Sequence, residues 1–405
     1  MNILYLCDEY PPGRHGGIGT VVQILARELA KQGHHVVVAG FYDWGYGGED
    51  EFEDNGVKVY RFRRTLSSNI FGRQDKLHIR ALYKLLNKSG IFQWDIRRSL
   101  DKYRIFIEQL VAKHSINIIE MPDYNDYIRF CKDVVPFPQL PSPLVVKLHG
   151  SMTYIDRNNG MPVPDYVATT ERKILSQADA VCAVSKYRAE KAIDFGEYDG
   201  HIDVVYNGIN VKSIDTSTCN VQRINRVVYT GALTENKGIF NLAKAWNIIN
   251  TRHPEARLIV LGKGPVNRVT ALVDPQYHKN VDFKGHVDRH TLLEILKTST
   301  IAAFPSLTES FALAPMEAMA CGTAVVYTSG SSGPELITHG KDGLLADPLD
   351  INDIADNICY LYQNQDICQK IAQAGRERII NDFDISVVAK KNVTYYQSII
   401  NKTKQ

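Results

Sequence analysis

The sequence predicts an α/β protein built from two Rossmann-like, doubly wound domains. Short runs of β-branched and other apolar residues alternate with amphipathic stretches of helical length along most of the chain. This alternation runs through one series of strands, breaks at a polar, turn-rich segment near residue 207, and then starts again. The chain has 405 residues, of which 44% are apolar and 23% charged, so it is long enough to bury more than one core.

The first series opens with a β-α-β unit. Residues 3–6 form a predicted strand, an amphipathic helix follows over about 20–32, and Gly33 ends it before a second strand at 36–39. Four more apolar runs are typical of strands buried on both faces of a parallel sheet, at 116–121, 144–148, 180–184 and 203–206. We therefore expect the first domain to end at residue 206.

The second series begins after Asn207 and Gly208, a pair that breaks helices and strands alike and marks the predicted hinge. Each of its strands is followed by a helical stretch, and the strands lie at 226–230, 258–261, 281–283, 301–304 and 324–327. Three helical patterns follow Pro348, the last over about 385–400. We expect a second domain at 207–382 and a C-terminal helix within 383–405 that packs back on the first domain.

Charge and cysteine content exclude several classes of protein. Lys plus Arg number 47 against 45 for Asp plus Glu, a net charge of +2 that gives no general attraction to nucleic acid. Seven cysteines without a Cys-x-x-Cys pair indicate neither a disulfide framework nor a zinc site of the usual spacing. The N-terminus lacks the pattern of a signal peptide and no apolar run reaches the length of a membrane span, so the sequence predicts a cytoplasmic protein.

One segment is strongly basic. Residues 58–104 contain thirteen Lys and Arg against three Asp, a local charge of +10. Such a segment can meet anionic lipid at the inner face of a membrane or a phosphorylated acceptor. It can equally be a solvated surface, because five acids at 49–54 lie nearby in the sequence.

A glycine loop at 11–19 lies between the first strand and the first helix, where backbone amides and a helix N-terminus can face a phosphate or a sugar. Arg14 and Gly17 lie in this loop. A dinucleotide fingerprint fits it poorly, because Val22 replaces the third small residue and no acid ends the second strand. A flexible turn is the alternative interpretation.

The segment 308–322 follows a strand and carries two glutamates. Pro315 suits the first helical position and Gly322 the end of the helix, which would place Glu317 in the opening turn and Glu309 in the preceding loop. Eight helical residues span about 12 Å. The carboxylates of a retaining glycosidase lie roughly 5 to 5.5 Å apart, so these two glutamates have different tasks.

A sugar nucleotide would find a partner for each of its groups here. Amides at Phe311, Ala312 and Leu313 can hold a diphosphate, Glu317 can accept from ribose hydroxyls, and Glu309 can meet the sugar. The alternatives are a helix-dipole role for Glu317 and a solvated loop position for Glu309.

Two basic or neutral donors follow other strands. Lys237 lies at a helix start, where a cation opposes the helix dipole unless it points at a bound anion. His149 lies at the carboxyl end of a buried strand and can donate to a sugar hydroxyl or phosphate. An exposed surface lysine and a locally hydrogen-bonded histidine are the corresponding alternatives.

Aromatic residues follow three strands of the first domain, namely Trp44, Tyr124 and Tyr154. Rings with polar tips suit sugar stacking, so these residues are candidates for binding an acceptor. They can also serve simply to cover the core.

Together these motifs resemble glycosyltransferase family 4, a family with the GT-B fold, over nearly the whole chain. The most specific match is Glu309 to Gly322, and the supporting matches are the glycine loop, His149-Gly150, Asn207-Gly208, Lys237-Gly238, and residues 262–265, 285–287 and 333–336. The resemblance implies two domains facing each other across a cleft. It further implies a retaining transfer from a nucleoside-diphosphate sugar, bound by the second domain, to an acceptor bound by the first, with no metal or other cofactor.

The resemblance also assigns roles. It implies that Lys237 meets the diphosphate, Glu309 and His149 the donor sugar, Glu317 the ribose, and the amides of 311–314 the phosphates. Gly17 would let the glycine loop approach the phosphates. The acceptor would be a glycan, a lipid-linked sugar or a small molecule.

One departure from the family pattern lies at Ala232, where many members carry arginine. The loss of a charge-assisted contact would weaken donor binding unless another cation, for which Arg14 is our candidate, replaces it. Three alternatives therefore stay open: a non-catalytic binding protein, a GT-B-like epimerase, and a phosphorylase with a pyridoxal-phosphate lysine.

Overall fold

The computed structural model describes residues 1–13, 15–42, 48–64, 89–214 and 223–403. The chain divides into two compact units, Met1–Tyr206 with Val388–Gln405, and Asn207–Val387. We call these the first and second domains. Each contains its own sheet and its own apolar core, so the predicted α/β fold with two parallel-sheet domains is confirmed.

The first domain has an eight-stranded sheet in the order β3-β4-β2-β1-β5-β6-β7-β8. The strands are β1 Asn2–Leu6, β2 His35–Tyr42, β3 Glu51–Asp54, β4 Val57–Arg63, β5 Ile118–Pro122, β6 Leu144–Leu148, β7 Ala180–Ala183 and β8 Ile202–Val204. All pairs are parallel except β3 with β4. The helices are α1 Gly17–Lys31, α2 Ile91–His114, α3 Met152–Asn158, α4 Asp165–Ser176 and α5 Lys186–Asp194.

The hairpin formed by β3 and β4 was missing from the sequence prediction. Its turn is Asn55-Gly56, and both residues have positive φ, 51° and 84°, as a tight two-residue hairpin requires. The short edge strand β3 is half exposed and acidic, so it lacks the apolar run that identified the central strands. Helix α1 begins at Gly17, three residues before the predicted start.

The second domain has a six-stranded, fully parallel sheet in the order β11-β10-β9-β12-β13-β14. Its strands are β9 Ile224–Thr230, β10 Leu258–Leu261, β11 Val281–Gly285, β12 Ser299–Phe304, β13 Ala324–Thr328 and β14 Leu344–Ala346. The helices are α6 Ile239–Arg252, α7 Val266–Thr270, α8 Arg289–Thr298, α9 Leu313–Ala320, α10 Gly333–Leu336, α11 Ile351–Gln363 and α12 Gln365–Arg378. A π-helical turn at Ile379–Phe383 precedes the last helix, α13 Ile385–Thr403.

Helix α13 joins the first domain from Val388 onward through buried polar contacts. The Tyr396 hydroxyl donates to Oε2 of Glu120 at 2.6 Å and lies 2.9 Å from the Tyr5 hydroxyl. Nζ of Lys147 donates to Oδ1 of Asn392 at 3.3 Å. Because Glu120 and Lys147 are buried charges on neighbouring strands, these contacts satisfy groups that would be costly to bury alone.

We predict that Tyr396→Phe lowers the free energy of unfolding by about 1.5 to 3 kcal/mol, because it removes a hydrogen bond to a buried carboxylate. Chemical denaturation of the full chain measures the change. The matched control is Tyr360→Phe, since Tyr360 is 44% exposed and loses the same hydroxyl. Equal stability losses in the two variants would contradict the proposed importance of the contact.

Candidate active site

Lys237 and Glu309 form an ion pair in the second domain. Nζ of Lys237 donates to Oε1 of Glu309 at 2.9 Å and to Oε2 at 2.7 Å. Lys237 ends a short 3₁₀ turn, Glu235–Lys237, after β9, while Glu309 lies in the loop after β12. Strands β9 and β12 are parallel neighbours, so their carboxyl ends meet at one edge of the sheet.

Close backbone packing holds these two loops together. Gly238 has a φ of 71°, and a β-carbon at this position would lie 1.7 Å from the carbonyl oxygen of Pro305. The amide of Leu307 donates to the carbonyl of Asn236 at 2.9 Å. Only glycine permits this approach, which explains why Lys237 is followed by Gly238.

Tyr229 supports the same turn and was not identified from the sequence. Its buried hydroxyl donates to the carbonyl of Ala232 at 2.9 Å and lies 3.3 Å from the carbonyl of Lys237. Burial, and then the charge of Glu309, raise the pKa of Tyr229 well above its usual value. The hydroxyl therefore stays protonated and fixes the backbone on both sides of the turn.

Helix α9 follows Glu309 but begins earlier than predicted. Ala312 is the extended residue before the helix and Leu313 is its first residue, so Pro315 lies at the third helical position. Glu317 consequently lies in the second turn and not in the opening turn. The predicted end is close to the observed one, since Gly322 has a φ of 70° and its amide donates to the carbonyl of Met319 at 2.8 Å.

The residues before this helix have different environments. Phe311 is buried with its ring 5.5 Å from that of Phe383, and its carbonyl accepts from Nδ2 of Asn207 at 3.4 Å. Ala312 and Leu313 are half-buried. The amides of a first helical turn have no acceptor within their own helix, so those of Leu313 and Ala314 are suited to meet an anion.

Glu317 forms an ion pair with Arg289. Nη1 of Arg289 donates to Oε1 of Glu317 at 2.6 Å, and the two side chains are 49% and 12% exposed. Arg289 is the first residue of α8 and follows Asp288, whose carboxylate accepts from the amide of Thr291 at the helix start. The sequence gave no signal for this pair, because its members lie 28 residues apart on separate helices.

The glycine loop of the first domain holds an acid of its own. The Glu9 carboxylate accepts from the amide of Gly16 at 3.0 Å and from that of Gly19 at 2.8 Å. The expectation that these two amides face a bound phosphate is therefore corrected, since Glu9 already satisfies them. A β-carbon at Gly17 would meet open space, and Arg14 lies outside the described residues.

A buried network positions His149. Oδ1 of Asp123 accepts from the amides of His149 at 2.8 Å and Gly150 at 3.0 Å. Arg188, which is fully buried, donates to Oδ2 of Asp123 at 2.9 Å and to Oε2 of Glu197 at 2.7 Å. The sequence analysis missed these three charged residues, and their contacts fix the backbone from which the His149 side chain projects.

The imidazole of His149 is neutral at physiological pH. Burial, assisted by the positive charges of Lys147 and Arg188, lowers the pKa of His149 to about 3. A neutral imidazole can donate one hydrogen bond and accept another. His149 is therefore suited to bind a hydroxyl and is poorly suited to supply a positive charge.

The three aromatic candidates differ in position. Tyr154 is 4% exposed and the Arg188 guanidinium lies 4.3 Å from its ring centroid, so its predicted stacking on an acceptor is corrected to a packing role. Tyr124 is half-buried. Trp44 lies outside the described residues.

Tyr124 lines a small cavity at the carboxyl ends of β1, β2 and β5, together with Asp8 and Tyr103. Its volume of about 10 Å³ admits one water-sized group. Burial raises the pKa of Asp8 to about 7, although the amide of Phe41 donates to its carboxylate at 2.7 Å. This cavity offers a hydroxyl group a carboxyl and a phenol as partners.

Within the described parts of the chain, no group of three or more His, Cys, Asp and Glu side chains has the arrangement of a metal site. The six cysteines for which side chains are described are buried free thiols. Among the described helices, none combines the length and the hydropathy needed to cross a membrane.

Two family models match the chain in succession. Residues 15–213 match the model described as Glycosyltransferase Family 4, and residues 220–378 match Glycosyl transferases group 1. The two matches together include every candidate residue described above in the second domain, and His149 and Tyr124 in the first.

Individual relatives agree with these models. An uncharacterised glycosyltransferase of Methanocaldococcus jannaschii is 27% identical, over 98% of this chain and 98% of its own. The glycogen synthase of Mycobacterium tuberculosis is 25% identical over 98% of this chain and 94% of its own. The Anabaena protein HepE, solved in complex with UDP-glucose, matches the fold with a TM-score of 0.65 at 17% identity, over 98% of this chain and 100% of its own. The chain is a glycosyltransferase of the GT-B fold that resembles glycosyltransferase family 4.

Proposed function

We propose that the enzyme transfers a hexose from a nucleoside-diphosphate sugar to an acceptor hydroxyl, with retention of the anomeric configuration and without a metal ion. The observation that supports this most directly is the contact between Lys237 and Glu309. It brings a cation for the diphosphate and an acid for the sugar to one edge of the second domain.

The donor would bind along that edge. Its diphosphate would take the Lys237 ammonium and the first-turn amides of α9, which favour anions through both hydrogen bonds and the helix dipole. Its sugar would then take the Glu309 carboxylate that Lys237 releases. The ribose diol would meet Glu317, whose second oxygen, Oε2, is not the one that Arg289 contacts.

The transfer step would occur on one face of the sugar. The bond between the anomeric carbon and the leaving phosphate oxygen breaks, and the acceptor oxygen bonds to that carbon from the same side. The acceptor proton passes to a leaving phosphate oxygen, so no side chain is needed as the base. Lys237 and the α9 amides would stabilise the charge that develops on the diphosphate.

Ala232 makes Lys237 more important than it would be beside an arginine. The carbonyl of Ala232 already accepts from Tyr229, so this residue serves the backbone of the turn. Arg14 remains a proposed second cation for the diphosphate. Gly17 would allow the same loop to approach the phosphates, since it has open space where a side chain would lie.

The acceptor would bind to the first domain, where neutral His149, Tyr124 and the Asp8 cavity follow neighbouring strands. Hydroxyl groups suit all three, which supports a sugar or glycan acceptor. The similarity to a glycogen synthase makes glycan or glycoconjugate synthesis the pathway class to test first. UDP-glucose, present in the HepE structure, is the first donor to test.

We further propose a cytoplasmic location with contact to anionic membranes through the basic segment 58–104. Arg61, Arg63 and Arg64 at the end of β4 belong to this segment, whereas 65–88 lie outside the described residues. Arg63 pairs with Asp50 at 2.6 Å, so part of the charge is compensated locally. Flotation with anionic liposomes at low and high salt tests the contact, and no binding at low salt would refute it.

The activity itself is tested with the purified full chain and UDP-, GDP- and ADP-glucose. Release of the nucleoside diphosphate measures turnover, proton NMR of the product gives the anomeric configuration, and a chelator tests the need for a metal. Retention with unchanged rates in the chelator supports the proposal. Nucleotide binding without turnover would instead favour a non-catalytic binding protein.

We predict that Lys237→Ala lowers kcat/KM at least tenfold, about 1.4 kcal/mol or more, because it removes the cation from the diphosphate. Steady-state kinetics with the donor identified above measures the loss. Lys244→Ala is the matched control, since it removes an exposed lysine from the neighbouring helix α6. A Lys237→Ala enzyme that keeps more than a tenth of kcat/KM would show that Lys237 does not hold the donor.

We predict that Glu309→Gln also lowers kcat/KM at least tenfold while nucleoside diphosphate binds with little change, because Glu309 contacts the sugar and not the phosphates. Kinetics and calorimetry with UDP separate the two effects. A loss of UDP affinity as large as the loss of kcat/KM would place Glu309 on the diphosphate instead.

We predict that His149→Asn lowers kcat but leaves the shape of the pH profile between pH 5 and 9 unchanged. Because the pKa of His149 is about 3, its imidazole is already neutral across that whole range. His201→Asn serves as the control, since the His201 side chain is 83% exposed in the same domain. If an inflection near pH 6 to 7 disappeared in His149→Asn, a protonated His149 would take part in the reaction.

A further inference from the structure

A second cavity lies in the second domain, away from the proposed donor edge. Its volume is about 630 Å³, within the range of about 300 to 1,000 Å³ of small-molecule sites. It is lined where strands begin: Arg223 precedes β9, Thr300 is the second residue of β12, and Cys321 and Gly322 precede β13. Because these strands are parallel, this edge is opposite to the one that carries Lys237 and Glu309.

Two guanidinium side chains converge on this cavity. A β-carbon at Gly322 would lie 3.0 Å from Nη2 of Arg223 and 4.0 Å from Cδ of Arg376. Arg223 donates to the carbonyls of Ser299 at 2.6 Å and Cys321 at 2.8 Å, which are neutral acceptors that leave its charge in place. Two positive charges brought this close favour a bound anion.

The rest of the lining suits a polar organic body attached to that anion. Helix α12 turns the amides of Gln365, Gln369 and Gln373 toward the cavity, at successive intervals of four residues. The exposed Asp366 is the opposing charge, and water screens it. Burial raises the pKa of Cys321 to about 12 and that of Cys368 to about 11, so both thiols are neutral and contribute an apolar floor.

We propose that this cavity is a second ligand site, which binds a small phosphorylated or multiply carboxylated metabolite through Arg223 and Arg376. Arg223 also caps the carbonyls at the end of α9, so its removal would disturb the fold. Arg376 lies on the face of α12 and offers the cleaner test. The proposal does not depend on the sugar transfer proposed above, because the two sites lie at opposite edges of the sheet.

Calorimetry with inorganic pyrophosphate, and separately with citrate, tests the site in the full chain. Lys237→Ala is used as the background, so that binding at the donor edge is weakened and the remaining signal reports the cavity. In that background Arg376→Gln should weaken binding of the better probe about tenfold or more, whereas Arg376→Lys should weaken it less. Lys370→Gln, which removes an exposed charge from the same helix, should have no effect.

Hydrogen exchange with saturating probe locates the binding independently of the variants. Protection of the amides of 321–323 and 365–376 supports the site. Failure of both probes to bind in the Lys237→Ala background, or equal affinity in Arg376→Gln and Lys370→Gln, would overturn the proposal. Binding of UDP to the otherwise unchanged chain should be the same with and without Arg376→Gln, which separates this site from the donor edge.

Discussion

The ion pair between Lys237 and Glu309 is the contact on which the donor edge depends. It joins two loops that are 72 residues apart in the chain, and it gives each buried or half-buried charge a partner while the other groups of the edge are set in place. The pair is possible because Gly238 lets its turn touch the backbone at Pro305, and because β9 and β12 end side by side. A larger residue at 238 would separate the cation from the acid before any ligand arrived.

The first domain solves the same problem with deeper burial. Arg188 is completely buried, and it compensates two carboxylates, Asp123 and Glu197, which are buried with it. Removing one partner of such a pair leaves an uncompensated charge and costs about 3 to 5 kcal/mol. The backbone of His149 and Gly150 hangs on Asp123, so the orientation of a neutral imidazole is set by charges that never contact the ligand. Tyr154 belongs to this support, which is why its ring covers Arg188.

Sequence patterns predicted the central strands well because those strands are apolar on both faces and stand apart from the helices. They failed for β3 and β4, whose charged edge residues have no apolar run, and they placed Glu317 one turn too early because Pro315 fits the third helical position as well as the first. Lys237 and Glu309 were identified because they follow strands and glycines. Arg188, Asp123, Arg289 and Tyr229 were not, because their roles arise from contacts between distant segments that no local spacing reveals.

The two charge clusters differ in how easily a ligand can rearrange them. The Lys237 side chain is 39% exposed and that of Glu309 is 13% exposed, whereas Arg188 and Asp123 are 0% and 2% exposed. An ion pair in partial contact with water contributes about 0 to 1 kcal/mol, so a diphosphate can take Lys237 from Glu309 at little cost and leave the carboxylate to the sugar. Exchange of partners at Arg188 would instead expose buried charges to each other without water. The second domain therefore has the adaptable electrostatics that binding and releasing a charged donor requires, and the first domain has the fixed electrostatics that hold an uncharged hydroxyl-binding group in place.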